Sequence, residues 1–218
     1  MPMDVIGFTC GPLYENSYLA ILDNGQAILV DPGFSTDHEW EQCKQKLKDS
    51  GASLSAILLT HAHLDHVLGI PVVIADYPDV PLYMSDRFPE LWQSIPDQPA
   101  MFGVDFPVHP MPIEPIRLVH GATCEFDGVS FEVRYTPGHS PDHVVFVAHK
   151  EGVVFGGDVL FKASVGRTDI PFGDGHLLKE SIETQLYTLP DEFVVYPGHG
   201  ASTTVGTEKQ SNPFIRAH

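Results

Sequence analysis

Apolar positions in this chain fall into short runs separated by turns. Residues 3–9, 17–23 and 27–31 have strand length, and Asp23-Asn24-Gly25 between the last two has the composition of a hairpin turn. A helical period replaces them over 37–50, where Trp40, Cys43 and Leu47 recur on one face, charged residues fill the solvated side, and Ser50-Gly51 closes the segment. Residues 56–59 and 81–84 read as strands. Between them, 66–77 begins as a helix, with Gly69 allowing close packing and Pro71 fitting a first turn or a kink. From 123 onward strands return at 124–126, 129–135, 143–148, 153–155 and 193–196, with Asp127-Gly128 a hairpin turn. Residues 177–189 read as a helix with Leu178, Ile182, Gln185, Leu186 and Leu189 on one face, and the tail from 202 as polar loop.

This order suits two halves, each a sheet with helices outside: an α+β chain folded as a four-layer αββα sandwich with its site along one edge. Segment 76–118 departs from the pattern. It holds nine of the 19 prolines, too many for regular structure beyond a short helix near 90–94. It also carries Phe88, Leu91, Trp92, Met101, Phe102, Phe106 and Met111, which a solvated linker would not. Such a segment forms a substrate-side wall, a lid or an oligomer contact, or simply packs on the main body. His109 and His120 read as ordinary histidines.

Composition narrows the class. A chain of 218 residues, 43% hydrophobic and 19% charged, supports one globular domain over 1–218. No apolar run of membrane length and no signal-peptide pattern at the start point to a cytoplasmic protein. Cys10, Cys43 and Cys124 are odd in number and unclustered, which argues against a disulfide framework and against thiolate ligation of zinc. The net charge of -17 disfavours nucleic acid or any other polyanion as partner. The composition is compatible with a monomer or an oligomer.

The chemistry gathers where apolar runs stop. The run 56–59 passes into Thr60-His61-Ala62-His63-Leu64-Asp65-His66. Histidines two apart in an extended segment face the same side, so His61 and His63 can share one metal ion, and Asp65 and His66 are placed to hold a second. Three further runs end at a glycine followed directly by a potential ligand: Gly138-His139, Gly157-Asp158 and Gly198-His199. Taken singly, His139 or His199 reads as an ordinary hydrogen-bonded histidine and Asp158 as a turn former. Their shared context makes one site of the seven. Imidazole and carboxylate without thiolate suit zinc, with iron or manganese as alternatives.

Leu29-Val30-Asp31-Pro32-Gly33, Thr60 to His66, Thr136-Pro137-Gly138-His139-Ser140, Gly156-Gly157-Asp158, Val165-Gly166-Arg167-Thr168-Asp169 and Tyr196-Pro197-Gly198-His199-Gly200 together resemble the metallo-β-lactamase fold hydrolases, and within them the glyoxalase II (hydroxyacylglutathione hydrolase) group. The resemblance implies two divalent ions, one held by His61, His63 and His139 and the other by Asp65, His66 and His199, with Asp158 bridging. It makes Asp31 a support that orients a ligand histidine. His143 matches no ligand of the family and reads as a core or surface histidine. The chain is similar to the short single-domain members, without the C-terminal helical domain that holds glutathione in longer ones. Arg167 and Lys162 are its candidate binders of a substrate carboxylate, with surface salt bridging the alternative reading.

Two ions can hold a hydroxide between them, polarise a carbonyl and stabilise an oxyanion, so no protein nucleophile is required. A thiol leaving group with a pKa of about 8.5 departs as thiolate without a dedicated acid. The expected reaction is therefore hydrolysis of an acyl thioester, S-lactoylglutathione being the substrate the resemblance implies. The rival is a persulfide dioxygenase of the same superfamily, sharing the Gly-Arg-Thr-Asp loop and binding one iron through His61, His139 and Asp158.

Overall fold

The computed structural model describes residues 3–103, 108 and 110–216. The chain divides into two compact units, Met1–Arg117 and Leu118–His218.

In the first unit, strands β1 (Asp4–Cys10), β2 (Glu15–Ile21), β3 (Gln26–Val30), β4 (Ser53–Leu58), β5 (Leu82–Ser85) and β6 (Ile116–Leu118) lie side by side in that order. The hairpins β1–β2 and β2–β3 are antiparallel, and Leu22 N–H donates to Gln26 C=O at 2.8 Å across the Asp23-Asn24-Gly25 turn. Parallel pairing of β3 with β4 and of β4 with β5 needs crossovers, supplied by α1 (Asp37–Ser50) and by the short helices α2 (Leu64–Val67) and α3 (Ile70–Asp76).

Helix α1 has the bounds its sequence announces. Thr36 Oγ1 accepts from Glu39 N–H, the Glu39 carboxylate accepts from Thr36 N–H, and Gly51 closes the helix in the left-handed region at φ 69°. Trp40, Cys43 and Leu47 are buried in the unit's core, while Asp76 at the end of α3 accepts from Trp40 Nε1 at 2.9 Å and pairs with Lys44 at 2.7 Å.

Within 76–118, α4 (Pro89–Gln93) is the expected short helix, followed by a 3-10 turn (Ile95–Asp97) and α5 (Gln98–Phe102). Leu91, Trp92 and Ile95 are buried in the core of their own unit, and Phe88, Val108, Met111 and Ile113 pack against it. Gln98 Nε2 donates to Ala62 C=O at 2.7 Å, tying the segment to the His61–His66 loop. Phe106 and His109 lie outside the described residues.

The second unit contains β7 (Thr123–Phe126), β8 (Val129–Tyr135), β9 (Val144–Ala148), β10 (Val153–Gly157), the small hairpin β11 (Leu160–Phe161) and β12 (Ser164–Val165), α6 (Gly175–Ser181), β13 (Val194–Pro197), β14 (Thr203–Thr204) and α7 (Val205–Ser211). Its main sheet runs β14-β13-β10-β9-β8-β7, with β10 and β13 parallel and the other pairs antiparallel. Val145, Val147, Val154, Leu178, Ile182, Leu186 and Val195 form its core. Two mixed sheets with helices make this an α+β chain, as expected.

Two expectations are corrected. The helix read over 177–189 is α6 followed by a π turn at Ile182–Leu186, where Tyr187 N–H reaches back five residues to Ile182 C=O at 2.9 Å. The apolar stripe survives the extra residue, which is why spacing alone did not reveal it. The tail read as loop contains β14 and α7. Thr204 caps α7, and buried Glu208 accepts from Thr203 Oγ1, Asn212 Nδ2 and Ala163 N–H, so polar residues here face inward to one another.

Candidate metal centre

In the first unit the site starts where β4 runs out. Asp31, just after β3, holds it together: Oδ1 accepts from Thr60 N–H at 2.7 Å, and Oδ2 accepts from Thr60 Oγ1 at 2.7 Å and His66 Nδ1 at 3.0 Å. To aim its carboxylate this way Asp31 adopts φ 47°, a left-handed conformation that Asp tolerates better than most residues. The Thr60 hydroxyl gives its one hydrogen to Asp31, so at 3.0 Å it accepts from His61 Nδ1. His61 and His66 are thereby fixed with the proton on Nδ1 and the lone pair on Nε2, the arrangement a metal ligand needs.

The rings of His61, His63 and His66 cluster, with centroids 4.6 Å apart for His61–His63 and 4.2 Å for His61–His66. All three are buried and Asp65 is half-buried. Gly33 makes the close fit possible, since a Cβ there would lie 2.1 Å from Glu15 Oε2 and 2.3 Å from the Asp65 carbonyl oxygen. Glu15, wholly buried on β2, accepts from Ser17 Oγ at 3.1 Å and has Oε1 3.8 Å from His66 Nδ1. Burial is the main cause that pushes its carboxyl well above the usual range.

In the second unit His139, Asp158 and His199 meet. Asp158 Oδ2 lies 3.5 Å from His139 Nε2 and 3.4 Å from His199 Nε2. Two ligand atoms each about 2.0–2.2 Å from one ion at a tetrahedral angle are about 3.3–3.6 Å apart, so one carboxylate oxygen is spaced to share an ion with either imidazole. His139 Nδ1 donates to the Arg167 carbonyl oxygen at 2.9 Å, again leaving Nε2 as the ligand atom. The donor set and its fixed tautomers fit a divalent ion.

The scaffold behind these ligands is tight. A Cβ on Gly138, at φ 134°, would fall 2.2 Å from Leu178 N, and Gly138 C=O accepts from Asp174 N–H at 2.7 Å, so the His139 loop is fastened to the start of α6. Gly166 presses on Asp158 so closely that a Cβ would be 1.9 Å from its carbonyl oxygen. Gly198 N–H donates to Gly157 C=O at 2.8 Å, linking the ends of the parallel strands that carry Asp158 and His199.

The two candidate substrate binders are both exposed. Lys162 sits in the β11–β12 turn, and the Arg167 guanidinium closes on Asp169 through bonds of 2.8 and 3.1 Å. Sequence reasoning gave Thr60, Glu15 and the Arg167 backbone carbonyl no part. Glu15 precedes the strand read over 17–23 and falls inside β2 only in the structure.

Residues 10–199 match the metallo-beta-lactamase superfamily. The chain belongs to that family. Among relatives, hydroxyacylglutathione hydrolase GloC of Haemophilus influenzae is 36% identical over 220 residues, covering 100% of this chain and 99% of that protein. Among solved structures, the BLEG-1 B3 metallo-beta-lactamase superposes with TM-score 0.84 at 33% identity, over 97% of this chain and 99% of that one. TTHA1623 in a di-iron-bound form gives TM-score 0.83 at 37% identity, over 96% and 100%. The chain is thus a metallo-hydrolase of this superfamily, with the superfamily's fold. Among the described residues no helix is long and apolar enough to cross a membrane.

Proposed function

We propose that this protein hydrolyses the acyl thioester of a small, glutathione-linked molecule such as S-lactoylglutathione at a two-metal centre. His61, His63 and His139 would hold one ion and Asp65, His66 and His199 the other, with Asp158 shared between the two sets. The observation that carries the reading is the placement of Asp158 Oδ2 within 3.5 Å of the Nε2 atoms of both His139 and His199, as a shared oxygen requires. Similarity to a hydroxyacylglutathione hydrolase over the full chain supports the substrate class. Zinc suits the donors, and iron suits them equally, as the di-iron relative illustrates.

When bound, the ions supply an activated water and polarise the thioester carbonyl. The chain's own part is to fix them. Asp31, Thr60 and the Arg167 carbonyl hold protons on the Nδ1 atoms of His66, His61 and His139, so each Nε2 lone pair stays available. Asp65 and Asp158 bring the negative charge that partly offsets the cations, leaving the centre able to favour an anionic transition state. The thiol leaves unaided as thiolate. Arg167 and Lys162 receive the substrate's carboxylate, which requires Arg167 to exchange Asp169 for it.

The test is elemental analysis of the purified protein with an anaerobic assay on S-lactoylglutathione. Two ions per chain and oxygen-independent cleavage are expected, and chelation should abolish turnover. A single iron with oxygen uptake on glutathione persulfide would overturn the proposal, as would hydrolysis of a β-lactam in preference to the thioester.

A further inference from the structure

Asp158 directly follows Gly157, which sits at φ 47° where the β10–β13 register shifts, so its amide has left the sheet ladder. That buried N–H must find another acceptor. It donates to Nε2 of His143 at 3.0 Å, and His143 is itself wholly buried just ahead of β9. A neutral imidazole that accepts at Nε2 carries its proton on Nδ1, and here Nδ1 meets Thr136 Oγ1 at 2.9 Å. The backbones of the same two residues are joined as well, Thr136 N–H donating to His143 C=O at 2.9 Å. On its other side the Asp158 peptide is closed in by Gly166, with no room for a Cβ.

We infer that His143 is a positioning residue for the metal centre: by accepting from the Asp158 amide, with its tautomer set by Thr136, it fixes the peptide from which the bridging carboxylate reaches His139 and His199. His143 therefore supplies no ligand, because its one lone pair is already used. The inference rests on Asp158 being a ligand as proposed above. It adds a role to the expected core or surface histidine, which the structure buries completely.

Two substitutions separate acceptor from bulk. In His143→Gln the amide oxygen reaches roughly where Nε2 lies and can still accept. In His143→Asn the shorter side chain can meet Thr136 but not the Asp158 N–H. Zinc-loaded full-length wild type and variants are compared by zinc content and by zinc affinity in competition with a chromophoric chelator. His143→Asn is expected to lose about 10–100-fold in affinity for at least one ion, and Gln to stay within a few-fold of wild type. Equal affinity in all three proteins overturns the inference, and so does equal loss in both variants, which would assign the effect to ring packing.

Should His143→Asn not fold, Thr136→Val against Thr136→Ser asks the same question, with loss expected only for Val. Nitrogen NMR of the wild-type imidazole gives a direct readout. An unprotonated Nε2 is expected, and a protonated one refutes the assignment. Failure of the thioester proposal shows separately, as absent hydrolysis by wild type, and leaves the affinity comparison intact.

Discussion

Asp31→Asn removes a charge and changes the volume of the side chain little, so its consequences can be worked through bond by bond. The carboxylate accepts from three buried donors: Thr60 N–H and Thr60 Oγ1 at 2.7 Å and His66 Nδ1 at 3.0 Å. An amide offers one oxygen. With that oxygen at the Oδ1 position, the NH2 faces the Thr60 hydroxyl and the His66 N–H. With it at Oδ2, the NH2 faces the Thr60 amide. In the first orientation His66 must move its proton to Nε2, the atom proposed to bind metal. In the second a backbone donor is orphaned at about 1–3 kcal/mol.

Adding the weakening of the remaining bonds from charged to neutral, about 1 kcal/mol, gives a loss of roughly 2–4 kcal/mol from a stability of order 5–15 kcal/mol. Metal affinity should fall about 10–100-fold. Asp31→Ala should be worse, since it abandons all three donors and holds alanine at φ 47° for a further cost of about 1–2 kcal/mol. Urea unfolding of the metal-free proteins measures the first effect and chelator competition the second. Wild-type values for Asp31→Asn in both assays would refute the reasoning.

Three other outcomes are expected. Gly166→Ala would place Cβ 1.9 Å from the Asp158 carbonyl oxygen, forcing a shift of more than about 1 Å between the Arg167 loop and Asp158. Activity should drop about 100-fold, with a stability loss of about 1–3 kcal/mol, read by initial rates and by melting. Asp158→Ala should abolish both paired metal binding and turnover, and retention of two ions with near-normal rates would contradict its bridging role.

The Glu39 carboxyl is raised by burial, but bonds from Gly11 N–H, Ser35 N–H and Oγ, and Thr36 N–H outweigh this and hold it below its ordinary value of 4.5. Its stabilisation is therefore full above about pH 4.5 and lost as pH falls through the lower, folded-state value. The stability gap between wild type and Glu39→Gln, measured by denaturant unfolding, should close as pH is lowered through that range.

Much of this was legible because its causes are local. Helix α1 follows the spacing of Trp40, Cys43 and Leu47 and stops at Gly51 as read, and the turns at 23–25 and 127–128 carry their own glycines. The ligand candidates stood out because each follows a strand and a glycine or begins a dense histidine motif. What escaped depends on partners remote in sequence. The acceptor for His139 Nδ1 is 28 residues away and that for the Asp158 amide is 15 away, whereas Asp31, 35 residues from His66, was expected to orient a ligand histidine through the family resemblance alone. Nothing in the neighbourhood of Arg167 or His143 encodes those meetings. The inward-facing polar set of α7 was hidden for the same reason, as Glu208 reads as a surface acid until Thr203 and Ala163 are folded beside it.

Because β10 and β13 are adjacent and parallel, Asp158 and His199 emerge side by side just beyond the last rung of one ladder, Gly157 with Pro197. Strands in such a ladder keep a separation of about 4.8 Å through main-chain bonds that any sequence can make. The distance between the two backbones from which this carboxylate and this imidazole depart is thus set by the sheet, while His143 and Gly166 set how the Asp158 peptide leaves it. Substitutions in the apolar layer beneath can soften the unit while leaving the pairing of the two strands intact.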